Sequence, residues 1–266
     1  MVTSIDRHPA ITKDFLLRVQ TEGVDGWSIV HKFGANNAIS SVTSPVCSDG
    51  VYETPTTGQA LELISDSADD TAAGIGAQSI TIYGLDENWD KQEMTTATNG
   101  TTAVQISGLW TRMFKIRIGG SGSYSDDTVG PHAGNITIRG TGSGPTWGTM
   151  ELLPSLGNVA SGASLIGVYT IPMGHRGWLI GKKITIESNK LTSVALFHRE
   201  GCDVVTPPYT PRVLTEIDIG LNTGSSYQPQ SPMGPFIGPC DIGFMARVAT
   251  STAAVEVDFE LLIQKI

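Results

Sequence analysis

The side chains in this sequence able to hold a metal or move a proton fall into a few small groups, and their spacing decides what each is for. Aspartates gather at Asp66, Asp69 and Asp70 and again at Asp126 and Asp127. Calcium takes several oxygens from one flexible loop, but neither run has the D-x-D-x-D-G spacing with a distal Glu. The reading favoured over a calcium loop is that these residues hold turns through side-chain to backbone hydrogen bonds and keep a strand edge soluble. A glycosidase pair needs a cleft and an acid with a raised pKa, and the sequence supplies neither. His8, His31, His132, His175 and His198 are never paired at metal-ligand spacing, so each is expected on a surface or in a loop. No G-x-S-x-G, H-E-x-x-H, G-x-x-x-x-G-K-S/T or post-strand G-x-G-x-x-G is present. The expectation is a non-enzymatic protein with no catalytic residue, cofactor or metal.

Aromatic residues offer a second kind of chemistry, stacking against sugar rings. Trp89, Trp110, Trp147, Tyr209 and Tyr227 sit in or beside segments that read as loops. Rings so placed more often plug the ends of a sandwich or bury at subunit contacts, and that is the reading adopted. Three cysteines, Cys47, Cys202 and Cys240, are too few and too scattered for a disulfide framework or a C-x-x-C site, so reduced thiols are expected.

The elements that must position these groups are strands. Over 62–139, short alternating segments are separated by loops of Asp, Asn, Gly, Ser and Thr, the pattern of half-buried antiparallel strands. Ile80 and Ile82 oppose Thr81 and Tyr83. Phe114, Ile116 and Ile118 oppose Lys115 and Arg117, and Ile136 and Ile138 oppose Thr137 and Arg139. The second half continues with strands near 165–171, 178–186, 194–197, 213–219, 242–248 and 255–263. Trp178, Ile180, Ile184 and Ile186 are expected inward, with a bulge at Gly181. In the last strand Val255, Val257, Phe259, Leu261 and Ile263 alternate with Glu256, Asp258, Glu260 and Leu262. Two long proline-bearing connections, 199–211 and 222–239, cannot be central strands and are long enough to imply a contact role.

The expected fold is therefore all-β, two tandem antiparallel β-sandwiches with the C-terminal one jelly-roll-like. Its divisions are an N-terminal arm over 1–29, a sandwich over 30–144, a Gly/Ser/Pro-rich linker over 145–160 and a sandwich over 161–266. Within the arm, 12–20 reads as a couple of helical turns that join Phe15, Leu16 and Val19. Such a segment either docks on a neighbouring subunit or the shell, or closes its own sheet as a strand. Trp147 is expected to anchor the linker.

The run SDSADDTAAGIGAQSITIYGLDENWD, followed by NGTTAV and AGNITI and preceded by VHKFGANNAIS with Lys32, Phe33, Gly34 and Asn36, resembles a segment of structural proteins of tailed bacteriophages, especially those of aquatic hosts. The resemblance covers residues 30–139 and carries no catalytic motif. It implies a virion structural protein that decorates and cements the capsid shell as a homo-oligomer, dimer or trimer, on the major capsid protein. The alternative is a tail-associated or fibre protein that binds a host-surface glycan. Expected assembly contacts are Phe15, Leu16, Tyr209, Tyr227 and Phe236.

The totals fit these expectations. At 266 residues the chain can bury a substantial core. A net charge of -9 with 17 Lys plus Arg argues against nucleic acid as a partner. No apolar run approaches the ~20 residues that span a bilayer. The N-terminus lacks the basic and apolar regions of a secretion signal, so assembly in the host cytoplasm and residence on the virion surface are expected.

Overall fold

A computed structural model describes residues 13–122, 131–153, 157, 159–187, 191–204, 212–219, 224–227 and 232–266. The described residues are all-β apart from one helix, α1 (Lys13–Thr21). The strands in chain order are β1 (Trp27–Ile39), β2 (Ser44–Pro45), β3 (Gln59–Ser65), β4 (Ala77–Asp86), β5 (Lys91–Ala97), β6 (Val104–Ser121), β7 (Ile136–Gly140) and β8 (Thr146–Met150). There follow β9 (Leu152–Leu153), β10 (Val159–Ala160), β11 (Val168–Ile171), β12 (His175–Glu187), β13 (Thr192–Glu200), β14 (Arg212–Ile219), β15 (Gly224–Tyr227), β16 (Met233–Ile237), β17 (Cys240–Val248) and β18 (Ala253–Lys265).

Two sheets build a jelly roll. One runs β1-β18-β12-β15, with β16 also on β12, and the other runs β11-β17-β13-β14, with β2 also on β17. Counting β15 and β16 as one position, the eight positions in chain order read 1-8-3-6 and 2-7-4-5 across the two sheets, the strand order of a jelly roll. The core between them contains Leu179, Ile184, Ile186, Val194, Leu196, Ile242, Phe244 and the inward row Val255, Val257, Phe259, Leu261 and Ile263.

Of the remaining strands, β9 pairs with β10 in a separate two-stranded sheet, and β3 to β8 form one six-stranded sheet, β5-β4-β6-β3-β7-β8. Its apolar face, with Leu61, Leu63, Ile80, Ile82, Ile116, Ile136 and Ile138, packs on Ile166, Val168 and Phe197 at the other face of the β11-β17-β13-β14 sheet. That middle sheet is covered on both faces, which is why β13 is buried at Val194 through Arg199 without alternation. Two sandwiches thus share a sheet, and the chain is woven between them. β1 pairs with β18 from Trp27↔Gln264 to Ile39↔Ala253, and β2 pairs with β17. Residues 27–45 therefore pair within the jelly roll, whereas the expected divisions put 27–29 in the arm and 30–45 in the N-terminal sandwich. The six-stranded sheet is inserted between the first and second jelly-roll positions, and a bridge between Cys47 and Ile166 joins its outgoing and returning chains. Period-two alternation says that a segment is a strand but not which strand it will meet, and here the partner is at the far end of the chain.

Local differences have local causes. The expected linker contains β8, which pairs with β7, and Trp147 is buried in the core of the inserted sandwich as its anchor role requires. The 222–239 connection holds β15 and β16, both on the outside of β12, where proline is tolerated. In β12 the register slips between Leu179 and Gly181, which confirms a bulge. Leu179 faces the core, while Trp178 and Ile180 lie on the outer face beneath α1 rather than inward. A second slip, between Tyr83↔Lys115 and Gly84↔Met113, makes Phe114 an extra residue in β6. Ile116 and Ile118 enter the inserted core, but Phe114 turns into the jelly-roll core against Tyr169.

Candidate functional site

The aspartate turns are occupied by the chain itself. Asp70 is fully buried; its Oδ1 accepts the amides of Ala77 (2.7 Å) and Ala133 (2.8 Å), and its Oδ2 accepts Ser65 Oγ (2.6 Å) and the Gly134 amide (3.0 Å). A carboxylate has about four acceptor sites, and all are used to staple β3, β4 and the lead into β7. Asp66 accepts the amide and side chain of Asn135 at 2.8 and 2.9 Å. Nearby, His132 is buried with Nδ1 2.7 Å from the Gly134 carbonyl and Nε2 accepting the Gly162 amide at 3.2 Å; burial lowers its pKa, so it is held neutral. Asp126 and Asp127 lie outside the described residues.

Three of the five tryptophans are core. Trp89, Trp110 and Trp147 are each no more than 4% exposed, which removes them as a sugar-stacking platform. Tyr209 lies outside the described residues.

Where the inserted sheet meets the jelly roll, a charged cluster is sealed in. Asp241 on β17 receives Arg112 of β6 through Nε (2.9 Å) and Nη2 (3.1 Å), Arg199 of β13 at 3.0 Å, and the hydroxyl of Thr170 at 2.6 Å. Arg112 also donates to the carbonyls of Pro55 and Thr111 and lies 4.8 Å from the centre of the Trp89 ring. Tyr52 closes the set through Thr170 at 2.8 Å. Burial alone would raise the Asp241 carboxyl, but the guanidinium of Arg112 beside it prevails and holds it below the usual range. Close by, Lys32 on β1 is buried and donates to the Phe114 carbonyl, and burial pushes its ammonium down to about 7. The cluster is closed to solvent, so it works as a clamp between the two sandwiches and not as a reaction centre. The Cys47 and Cys202 thiols are buried, free, and pushed up by burial to about 12 and about 11, far from the reactive thiolate form.

One group of the exposed apolar residues lies at one end of the jelly roll. Four aliphatic side chains are exposed there: Met173 (42%), Val204 (76%), Ile237 (48%) and Ile266 (64%). Backbone bonds hold their segments together, from the Ile266 amide to the Gly174 carbonyl (2.8 Å), Gly238 to His175 (2.9 Å), and Cys202 to Pro239 (3.4 Å). Val204 belongs to the 199–211 connection and Ile237 to the 222–239 connection, the two stretches whose length implied a contact role. Apolar side chains gathered at an exposed end are a mark of interaction surfaces.

The expected contact residues are distributed differently. Phe15 is buried under α1, edge-on to Trp27 at 5.1 Å, with Leu16 half-buried beside it. Phe236 is 5% exposed and packs in the jelly-roll core near His198. Both phenylalanines pack within the chain, Phe15 between α1 and its own sheet and Phe236 in the jelly-roll core. Tyr227 ends β15, and its side chain is outside the described set. What sequence reasoning missed is the clamp. One signal was present, because the alternation of Phe114, Ile116 and Ile118 carried back two residues puts the charged Arg112 on the inward side.

No family model matches the chain, and no curated protein matches it. Among solved structures it is similar to an Arthrobacter globiformis T6 isomalto-dextranase complexed with panose, at 12% identity and a TM-score of 0.24, covering 86% of this chain and 36% of that one. It is also similar to the STIV MCP, at 8% identity and a TM-score of 0.23, covering 88% of this chain and 96% of that one. The VP2 subviral particle of infectious bursal disease virus matches at 9% identity and a TM-score of 0.22, covering 89% and 71%. The chain spans only about a third of the dextranase's length, and overlaps this loose carry no argument about activity or partner. Among the described residues no helix is long and apolar enough to cross a membrane.

Proposed function

We propose that this chain is a non-enzymatic structural protein of a tailed-bacteriophage virion, which decorates the capsid shell and cements it by binding the major capsid protein. It acts as a homo-oligomer on the capsid surface after assembly in the host cytoplasm. The observation that carries the reading is the apolar end formed by Met173, Val204, Ile237 and Ile266, displayed on two sandwiches that share a sheet and are clamped by buried charge. The sequence resemblance over 30–139 names the kind of particle. A rigid body with an apolar end suits a cement protein, because whatever binds only the assembled shell shifts assembly toward it by mass action. Many copies on one shell add avidity to contacts that are weak singly. The glycan-binding alternative has lost Trp89, Trp110 and Trp147 as candidate platforms.

The test is to add purified protein to particles that lack it and follow their heat resistance. The wild-type chain should raise the temperature at which the particles open. The pair Val204→Asp and Ile237→Asp, both at exposed positions, should keep its fold and lose the effect. Equal protection by the pair would remove this end as the contact.

A further inference from the structure

Strand β5 forms one edge of the six-stranded sheet, and half of its backbone polar groups are unused. It pairs with β4 from Ser79↔Ala97 to Leu85↔Lys91 without a register slip. Just beyond the two ends, the Thr98 amide bonds to the Gln78 carbonyl and the Asp86 amide to the Asp90 carbonyl. In an antiparallel ladder this phase turns the even-numbered residues of β5 toward β4. The amides and carbonyls of Lys91, Glu93, Thr95 and Ala97 therefore point outward, and among the described residues no group bonds to them. We propose that this edge is an interface between two copies of the chain, whose β5 strands pair antiparallel across a twofold axis at Met94 and join the two sheets into one.

A row of outward donors and acceptors is a template for another strand. Other described edges are interrupted: β8 and β14 each carry a register slip, β16 holds Pro235, and β1 is closed near its ends by bonds from Trp27 and Ala35 to the carbonyls of Val24 and Leu165. The β5 row runs without a break, and side chains that could fold over it are held elsewhere. Thr95 Oγ1 lies 3.0 Å from Thr81 Oγ1, and Gln92 donates to the Leu109 carbonyl at 3.4 Å. The row is also symmetric about Met94, which selects the occupant. A strand that sets every donor opposite an acceptor must present the same spacing in reverse, and a second β5 does so. Lys91 then faces Ala97 of the other copy and Glu93 faces Thr95, each pair exchanging two hydrogen bonds, with no like charges directly opposed. Met94, half-buried against the inserted core, meets its counterpart at the axis and extends that apolar face across it. The far edge of the same sheet is already taken, because Ser48 Oγ donates to the Thr149 carbonyl of β8 at 3.2 Å. Pairing through β5 therefore closes at two copies. The inference goes beyond the cementing reading and does not rest on it.

Sedimentation equilibrium of the full chain is the test, and the wild type should give a doubled mass. Thr95→Pro removes an outward amide and sets a ring in the seam. Proline is tolerated on an edge strand where the lost N–H faces away from the sheet, so this variant should keep its circular dichroism and sediment as a monomer where the wild type is dimeric. Two further variants read the register. Thr95→Glu sets a carboxylate opposite Glu93 of the other copy and should weaken the dimer about tenfold over its two symmetric pairs, whereas Thr95→Lys sets an ammonium there and should hold it at least as tightly as the wild type. A monomeric wild type, or a dimer indifferent to Thr95→Pro, would overturn the proposal; protection of particles by such a monomer would leave the cementing reading standing. Met94→Cys decides the matter if the proline variant fails to fold. Facing Cα atoms at the axis lie about 4.5 Å apart, and the three native thiols are buried, so oxidised glutathione should cross-link two copies through this position. No cross-link at concentrations that sediment as dimer would equally reject the pairing.

Discussion

Replacing Asp241 by Asn keeps the shape of the side chain and removes the one negative charge that the clamp is built around. Arg112, fully buried, and Arg199, 4% exposed, would then share a closed space with no counter-charge. Breaking a buried ion pair from one side typically costs about 3–5 kcal/mol, because the remaining charge stays desolvated. With an unfolding entropy of about 2.1 cal/mol/K per residue over 266 residues, a loss of about 4 kcal/mol lowers Tm by about 7 °C. Urea unfolding followed by tryptophan fluorescence, alongside calorimetry, reads both quantities. The triple replacement Arg112→Met, Arg199→Met and Asp241→Leu removes every charge together and should recover most of the loss, since apolar substitutes for whole buried ion clusters are often neutral or better. A cost below about 1 kcal/mol for Asp241→Asn, or a triple variant as unstable as the single one, would refute the clamp. Acid gives the same test without mutation. The folded Asp241 carboxyl lies below its unfolded value, so its contribution is present above about pH 4 and is lost as pH falls through the folded pKa.

Lys32 should leave a signature at the other end of the scale. Its ammonium is lowered from 10.5 to about 7 by burial, so the unfolded chain binds the extra proton and stability should rise by about 2 kcal/mol from pH 7 to pH 9. Denaturant midpoints across that range should climb in the wild type and much less in Lys32→Met, with Lys91 and Lys182, lowered in the same sense, supplying the remaining slope; equal slopes would contradict the assignment. Above about pH 9 the raised thiols of Cys47 and Cys202 reverse the trend, since only the unfolded chain releases their protons. Gly34→Ala would drive a Cβ into the backbone of Gly167 and the Val46 carbonyl, where the inserted segment returns to the jelly roll, and should abolish soluble folded protein. Gly23→Ala has open space around it and should cost only about 1 kcal/mol for its positive φ, as thermal melts would show.

The sequence was most legible where a strand has one wet face. Ile80 and Ile82, Ile136 and Ile138, and the row from Val255 to Ile263 all point inward as alternation requires, and the nine-residue α1 falls where Phe15, Leu16 and Val19 suggested helical turns. Legibility failed where both faces are covered. β13 carries Phe197 toward one core and Val194 and Leu196 toward the other, so alternation has nothing to report. Bulges defeated the pattern at Phe114 and Ile180, where one extra residue reverses the facing of its neighbours. The pairing of β1 with β18 was hidden for a different reason, since strand partners at opposite ends of a chain leave no local mark. The aspartates were read correctly as turn residues at Asp66 and Asp70, because the chemistry of a short carboxylate among Gly, Ser and Ala is itself local.

The proposed cementing role makes its sharpest claim about copy number. Quantitative mass spectrometry of purified particles, with the major capsid protein as internal reference, should find this chain at a ratio near one or a simple fraction of it, spread over the whole shell. A handful of copies per particle would contradict the account and place the protein at the tail, where the glycan-binding alternative would take over.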